Sequence, residues 1–356
     1  MNRPLMTRRG FIERSGTTGA AGMAAAGIPA AAYGAPGKKG SHPPFLTPWS
    51  PPDDRRRDLT PGKTPFRLAA WSSKTTLDYP RGIGIADTVK RIRDSGYTSG
   101  CAHGGRLARS PWLDASESEI RELKEALATY DVTFFDMHAN ANNIHPDPEE
   151  RKKEIAWTIS QCEAAERVGC PVVTTHTGSC APSAVSIHPD NWTTETWRFS
   201  VRIMKQILKD TEGMKVSLAI EPDNLANINN PRAHRQLIED VGDPRLKFCF
   251  DPVNMVEPGT YYRTTELIEE SFDLLGENIV VAHAKDSRIL PDRMSIYITE
   301  ALPGEGVLDY ETYLVRLSRL SYPRTLIIEH IPDDRYPAAK RFIEDTAARL
   351  GVAIYR

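Results

Sequence analysis

Short apolar runs and helix-like segments alternate along most of this chain, and this alternation constrains the fold more than any other feature. The last four of the eight runs are rich in β-branched and bulky apolar residues without polar alternation, which is typical of strands buried on both faces. The eight runs lie at residues 66–71, 97–103, 132–138, 171–176, 215–221, 246–251, 278–283 and 324–329. Eight buried strands joined by helices predict an α/β protein with a parallel sheet and the size of one TIM barrel.

The segments between the runs carry helix signals. The clearest begins at Asp147, a good N-cap, with Pro148 at the first helical position and Glu150 placed for a capping box. The other helices are predicted near residues 84–95, 116–129, 195–210, 232–241, 264–275, 309–321 and 337–349. A doubly wound open sheet is the alternative, but no Gly-rich phosphate loop follows the first run. We therefore predict a single-domain (β/α)8 TIM barrel over residues 64–356.

The N-terminal part of the chain has a different composition. Residues 7–12 contain an Arg pair, and a weakly hydrophobic Gly- and Ala-rich stretch follows them, as in a bacterial twin-arginine export signal. We predict a signal peptide over residues 1–35 and a Pro-rich linker or surface arm over residues 36–63. The expected partner is the twin-arginine export machinery, and the expected location is the periplasm or the extracellular space. The alternative is a disordered tail with two chance arginines.

Charge and cysteine content exclude some functions and leave others open. The chain has 45 Lys and Arg residues against 47 Asp and Glu residues, a net charge of −2. This balance gives no support for a nucleic-acid partner, and no apolar run is long enough for a membrane span after signal cleavage. The five cysteines form no CxxC pair, so we interpret each as a small core residue, with one disulfide as an open alternative.

Ionisable residues end seven of the eight apolar runs. The last four runs end in Glu221, Asp251, His283 and Glu329. The three runs before them end in His103, His138 and His176. The C-terminal ends of barrel strands meet on one face, which is where such barrels keep their active sites. Two glutamates, an aspartate and a histidine on that face would form a divalent-metal site of oxygen and nitrogen ligands.

Several short motifs resemble a known family. They are IEPDN (220–224), CFDPVN (249–254), HAKDSR (283–288), PGEGVLDY (303–310) and LIIEH (326–330). In this order they resemble the xylose isomerase-like superfamily, and within it the sugar phosphate isomerase/epimerase group, over roughly residues 66–350. The resemblance implies one divalent ion, often Mn²⁺ and in some members Mg²⁺, Co²⁺, Ni²⁺ or Zn²⁺. Its implied ligands are Glu221, Asp251, His283 and Glu329, and family members often form homo-oligomers.

The predicted ion suggests a chemistry for the site. Such an ion would polarise a carbonyl and acidify the neighbouring C–H, and a carboxylate on each face of a sugar could then move a proton. Glu221 and Glu329 are the candidate catalytic residues, although they could serve only as ligands. The predicted substrate-binding residues are His138, His176, Lys285 and Arg288. A structural role for His176, a salt bridge between Lys285 and Asp286, and a solvated Arg288 are the alternatives.

These residues predict a metal-dependent isomerase or epimerase of a small carbohydrate. Export favours an unphosphorylated substrate, because phosphosugars are chiefly cytosolic. The first alternative is an exported lyase or hydratase that acts on a 3-keto-glycoside at the same metal site, and the second is a non-catalytic sugar-binding barrel. In the related abasic-site endonucleases a histidine follows the strand-six aspartate by three positions. Asn254 stands there in this chain, which argues against a trinuclear zinc nuclease site.

Overall fold

Strands and helices alternate from Arg67 to the end of the chain. The computed structural model describes residues 57–73, 75–78, 83–103, 110–290 and 293–356. The strands are β1 Arg67–Ala70, β2 Ser99–His103, β3 Thr133–Asn142, β4 Val172–His176, β5 Ser217–Ile220, β6 Leu246–Phe250, β7 Ile279–Ala284, β8 Asp286–Ile289, β9 Ile298–Ala301 and β10 Thr325–Ile328. The helices are α1 Ile85–Asp94, α2 Glu117–Thr129, α3 Pro148–Val168, α4 Thr194–Asp210, α5 Pro231–Val241, α6 Thr264–Leu275, α7 Tyr310–Ser318 and α8 Tyr336–Leu350.

Eight parallel strands form the central sheet in the order β1-β10-β7-β6-β5-β4-β3-β2. The two ends of this order, β1 and β2, meet and close the sheet into a barrel. The backbone N–H of Thr98, directly before β2, donates to the carbonyl of Leu68 in β1, 3.2 Å away. A helix follows each barrel strand in the chain. The predicted single-domain (β/α)8 TIM barrel is thereby confirmed.

Two buried apolar clusters hold the barrel together. The smaller one draws buried residues from seven of the eight barrel strands, as expected for a filled barrel interior. These residues are Ala69, Cys101, Val172, Ala219, Cys249, Val280, Val281 and Ile327. The remaining strand, β3, pairs Asp136 with Cys101 on one side and with Val172 on the other. The larger cluster joins the outer faces of the strands to the helices.

Local signals explain where α3 begins and ends. As predicted, Asp147 is its N-cap and accepts hydrogen bonds from the backbone N–H groups of Glu149 and Glu150. The predicted capping box is wrong, because Glu150 pairs with Lys153 and the N–H of Asp147 donates to the His145 ring. The helix ends at Gly169, whose φ of 82° is a left-handed conformation that glycine adopts without strain.

An antiparallel hairpin interrupts the regular alternation. Strands β8 and β9 pair with each other between β7 and α7, and the apolar runs of the sequence do not predict them. Only Lys285 separates β7 from β8, so the chain turns out of the barrel directly at the C-terminal end of β7. The β8–β9 hairpin therefore stands at the face where the ionisable strand ends meet.

Most of the predicted N-terminal segments lie outside the described residues, including the twin-arginine signal over residues 1–35. The described end of the arm, residues 57–63, contacts the barrel near α7: Arg57 pairs with Asp309 at 2.7 Å, and the N–H of Gly62 donates to Ser318 Oγ.

All five cysteines are free, and only Cys180 is not fully buried. Over the described ranges, no helix combines the length and the apolar character that a membrane crossing requires.

Candidate metal centre

The four residues predicted as metal ligands meet at the C-terminal end of the barrel. Glu221 and Glu329 follow β5 and β10 directly, Asp251 follows β6, and His283 lies near the end of β7. Glu221 is 5% exposed, and the other three are fully buried. One ligand atom from each lies within 4.8 Å of the others. The structure thus brings together a buried Glu, Asp, His and Glu cluster that is able to hold a metal ion, and we call these four residues the ligand cluster.

The imidazole of His283 is the common neighbour of the three carboxylates. Its Nδ1 lies 3.0 Å from Glu329 Oε1, 3.3 Å from Glu221 Oε1 and 3.6 Å from Asp251 Oδ2. Burial alone would lower the pKa of His283, but the surrounding acidic groups raise it well above its usual value. This direction of the pKa shift reflects the negative charge that the three carboxylates concentrate around His283.

Asn254 orients two members of the ligand cluster. The side-chain Nδ2 of Asn254 donates to Glu221 Oε1 at 2.9 Å, and its backbone N–H donates to Asp251 Oδ1 at 3.1 Å. The N–H of Val253 also donates to Asp251 Oδ1, at 3.0 Å. Asp251 Oδ2 is thereby left to face the cluster. Hydrogen bonds of this kind fix the direction of ligand oxygens before a metal binds.

Lys285 extends into the ligand cluster. Its Nζ lies 2.8 Å from Asp251 Oδ2 and 3.0 Å from Glu329 Oε1, and the residue is 1% exposed. The alternative role for Lys285, a salt bridge with Asp286, is wrong, because neighbouring residues in an extended chain point to opposite sides. The carboxylate of Asp286 instead accepts hydrogen bonds from the N–H groups of Gly304 and Leu308.

Unsatisfied atoms and uncompensated charge support a divalent ion here. Glu329 Oε2 is buried and lacks a hydrogen-bond partner among the described residues, while Asp251 Oδ2, His283 Nδ1 and Glu329 Oε1 are buried and make ion-pair contacts but no hydrogen bond of good geometry there. Three carboxylates and one lysine ammonium leave two negative charges, which is costly in a buried site. A divalent cation would neutralise them while His283 stays uncharged, and three oxygen donors with one imidazole suit such an ion. The residues present therefore fit a divalent metal.

Two predicted substrate-binding histidines lie on the other side of Glu221. His138 Nε2 is 3.5 Å and His176 Nε2 is 3.6 Å from Glu221 Oε2, and both residues are buried. Arg288 is exposed on β8 and is not part of this group. His103 ends β2, but its side chain lies outside the described part of the structure. The roles given to these residues stay predictions.

A family model described as the xylose isomerase-like TIM barrel matches residues 89–347 of the 356. The chain belongs to the xylose isomerase-like TIM barrel family. The superfamily resemblance read from its motifs is confirmed. Among curated proteins, none matches the chain in sequence.

Solved structures share the fold of this xylose isomerase-like barrel. A xylose isomerase-like TIM barrel protein from Mycobacterium smegmatis in complex with magnesium is 14% identical, with a TM-score of 0.57 over 81% of this chain and 97% of that one. D-psicose 3-epimerase from Clostridium cellulolyticum H10 with D-tagatose is 14% identical, with a TM-score of 0.53 over 80% and 96%. The 3-keto-D-glucoside 4-epimerase from E. coli is 16% identical, with a TM-score of 0.52 over 80% and 99%.

Three residues beside the ligand cluster were not predicted as site residues. The ring of Trp71, directly after β1, lies 4.8 Å from the His138 ring and 5.5 Å from the His283 ring. His330 follows Glu329 with a φ of 57°, and its Nδ1 lies 2.9 Å from Glu300 Oε1. Glu300, on β9, also reaches Lys285 Nζ at 3.1 Å. Trp71 could have been found from its place at the end of the first apolar run, as the other strand ends were.

The interior of this xylose isomerase-like barrel also holds one buried acid. Asp136 is fully buried in the apolar layer below the ligand cluster, and its Oδ1 accepts a hydrogen bond from Thr174 Oγ1 at 2.7 Å. Burial raises the pKa of Asp136 to about 7, although the hydrogen bond from Thr174 opposes this rise. The folded protein therefore holds a proton on Asp136 between about pH 4 and pH 7 that the unfolded chain releases.

This proton uptake makes stability depend on pH. Because the folded state binds the extra proton, the contribution of Asp136 to the free energy of unfolding falls as the pH rises from about 4 to about 7. The loss reaches about 4 kcal/mol above pH 7, at 1.4 kcal/mol per pKa unit. The comparison is the free energy of unfolding of Asp136→Asn minus that of wild type. This difference should be about 2 to 3 kcal/mol more favourable to the variant at pH 8 than at pH 5.

Urea unfolding at the two pH values measures this difference, with protein stripped of metal. Asp94→Asn, on the exposed surface of α1, corrects for the general effect of losing a carboxylate. An equal stability difference at both pH values would show that Asp136 is not protonated by folding.

Proposed function

We propose that the protein is a divalent-metal-dependent enzyme that isomerises or epimerises a small unphosphorylated carbohydrate, by moving a proton on the carbon next to a carbonyl. The arrangement of Glu221 and Glu329 is the observation that carries this proposal. Glu221 has one oxygen beside His283 and the other beside His176. Glu329 likewise has one oxygen beside His283 and the other beside His330. Membership of a family whose fold is shared with sugar epimerases supports it.

The ion would be held by Glu221, Asp251, His283 and Glu329. Mn²⁺ is the proposed metal, with Mg²⁺, Co²⁺, Ni²⁺ or Zn²⁺ as alternatives that the donor set also accepts. A bound divalent ion polarises a carbonyl oxygen and so lowers the pKa of the adjacent C–H group. The magnesium in the Mycobacterium smegmatis protein supports this assignment by likeness of fold.

The two glutamates are the proposed acid and base. Glu221 directs Oε1 to His283 and Asn254, and Oε2 to His138 and His176. Glu329 directs Oε1 to His283, while its Oε2 lies 3.9 Å from His330 Nε2. They follow β5 and β10, which have β6 and β7 between them, so they approach the mouth from separated positions on its rim.

This separation explains how a proton could be moved. A sugar bound between the two carboxylates would present one face to each of them. Proton removal by one carboxylate and return by the other inverts a carbon, whereas return to the neighbouring carbon interconverts aldose and ketose. Burial alone would raise the pKa of Glu329, but His283 and Lys285 lower it well below its usual value, which keeps Glu329 in the carboxylate form that can accept a proton.

The remaining residues would bind and shield the sugar. His138 and His176 offer ring nitrogens to substrate hydroxyl groups, and Trp71 supplies an apolar surface that excludes water from the reacting carbon. We assign Lys285 to charge balance beside Asp251 and Glu329 rather than to hydroxyl binding. Arg288 is exposed on β8, and we propose no contact with substrate for it.

Export is a separate part of the proposal. The twin-arginine motif in residues 1–35 supports transport to the periplasm or the extracellular space, and it is the reason for choosing an unphosphorylated substrate. A 3-keto-glycoside lyase is the second candidate, and the shared fold of the E. coli 3-keto-D-glucoside 4-epimerase favours it. In that reaction the same proton abstraction would be followed by loss of the anomeric group.

A substrate screen in deuterated water tests the proposal. Purified protein, first analysed for bound metal, is incubated with free ketoses and with 3-keto-glucosides. An isomerase or epimerase should place solvent deuterium on the reacting carbon, whereas a lyase should release the aglycone. Protein purified without chelator that holds no divalent metal, and cannot be loaded with Mn²⁺, would contradict the metal site. Binding of sugars without any turnover would identify a non-catalytic barrel.

A further inference from the structure

A cavity of about 370 Å³ opens beside the ligand cluster. It lies between the segment after β1 and the segment after β10. The residues that matter for its chemistry are Trp71, Ser73, Thr76, Asp78, His330 and Tyr336. The chemistry proposed above gives this cavity no role.

The cavity is next to the place where the reaction is proposed. Trp71 lines it and also lies 5.5 Å, between ring centres, from His283 of the ligand cluster. His330 lines it too, and its Nε2 lies 3.9 Å from Glu329 Oε2. A molecule whose reacting carbon lies at the ligand cluster could therefore extend past these two side chains into the cavity.

The volume of the cavity suits one sugar ring. A water molecule occupies about 30 Å³ in the liquid, so the cavity holds about twelve water-sized volumes. This is close to the number of non-hydrogen atoms in one hexose. None of the four residues of the ligand cluster lines the cavity, so a ring that fills it lies beside the ligand cluster rather than on it.

The walls have the chemistry of a neutral sugar site. Trp71 and Tyr336 supply aromatic rings, which suit the apolar C–H face of a pyranose. Ser73, Thr76 and Asp78 supply hydroxyl groups and a carboxylate, which suit its hydroxyl groups. None of the described residues that line the cavity is lysine or arginine.

Contacts between the two segments hold the walls in place. Ser73 Oγ donates to Asp333 Oδ2 at 2.6 Å, and the hydroxyl of Tyr336 donates to the carbonyl of Trp71. The N–H of Trp71 donates to the carbonyl of Ile328 at 2.8 Å. These bonds join the segment after β1 to the segment after β10, so the cavity is formed before a ligand enters.

We propose that this cavity is a second sugar subsite and that the substrate is a neutral glycoside of at least two sugar units. One ring carries the carbonyl and lies at the ligand cluster, and the other pyranose ring fills the cavity. The identity of the reacting ring rests on the proposed function. The subsite itself is a binding site and is tested by binding.

Calorimetry with metal-loaded, full-length protein tests the subsite, with cellobiose and maltose as disaccharide probes and glucose as the monosaccharide. Wild type should bind one of the disaccharides at least tenfold more tightly than glucose. Thr76→Trp, which fills the cavity, should reduce this ratio to near one, and Asp78→Asn should reduce it several-fold. Thr129→Trp, on the exposed end of α2, is the control and should keep the wild-type ratio.

The outcomes separate the subsite from the reaction. Equal affinity for disaccharides and glucose in wild type, or an unchanged ratio in both Thr76→Trp and Asp78→Asn, would overturn the subsite. Deuterium incorporation into free ketoses together with such a result would leave the proposed function standing. A disaccharide preference that both cavity variants lose, with no turnover of any sugar, would support the subsite and remove the proposed function.

Discussion

Glutamine in place of Glu329 should lower kcat by about 10²- to 10⁴-fold, the usual contribution of a positioned acid or base. The amide keeps an oxygen for a metal and nearly the same shape, but it cannot accept the proton. Glu221→Gln should have a similar effect, because Glu221 Oε2 faces His138 and His176 at the mouth. Steady-state kinetics on the substrate identified by the deuterium screen gives kcat, and elemental analysis gives the metal content of each variant.

The matched control is Glu305→Gln, because Glu305 is an exposed partner of Arg335. It should keep wild-type kcat. If both cluster variants kept full metal and full turnover, the acid and base roles would be abandoned. Variants that lose their metal would show instead that ligation is the dominant role of these carboxylates.

Removal of Lys285 should cost the metal-free protein about 3 to 5 kcal/mol of stability, because breaking a buried ion pair leaves uncompensated charge. Asp251 and Glu329 are fully buried, and the Lys285 ammonium lies 2.8 Å and 3.0 Å from their oxygens. Lys285→Met keeps most of the side-chain volume and removes only the charge. Urea unfolding with a chelator present measures the loss.

Added Mn²⁺ should stabilise Lys285→Met more than it stabilises wild type, because a cation in the ligand cluster would replace the missing positive charge. Lys340→Met is the control: Lys340 pairs with Glu344 at the partly exposed surface of α8, where such pairs contribute less than about 1 kcal/mol. An equal effect of Mn²⁺ on wild type and Lys285→Met would argue against a cation site beside Lys285.

Much of the fold and the ligand cluster could be predicted because both depend on local patterns. Buried parallel strands appear as continuous apolar runs, and the residue after each run must lie at the C-terminal rim of the barrel. Glu221, Asp251, His283 and Glu329 were found in this way. To predict that these four residues converge, the barrel fold is sufficient, and no other long-range contact has to be known.

The rest depends on geometry that sequence spacing does not specify. Glu300 reaches Lys285 only because β8 and β9 pair in a hairpin, and neither strand is long or apolar enough to be recognised. Lys285 points away from its neighbour Asp286 into the ligand cluster, where it pairs with carboxylates that are distant in sequence. In the sequence, Asp136 is one polar residue in an apolar run. Its raised pKa depends on the closed barrel that buries it.

The depth of the ligand cluster imposes an order of assembly. Asp251, His283 and Glu329 have no exposed surface, whereas the His330 side chain above them is 48% exposed and Trp71 is partly exposed. A carbohydrate that lies against Trp71 and His330 would cover the route by which an ion reaches the carboxylates. With the proposed metal and substrate, the ion would therefore have to enter before the sugar, and a bound sugar would slow its escape. Substrate would act in this way as a kinetic barrier to metal loss.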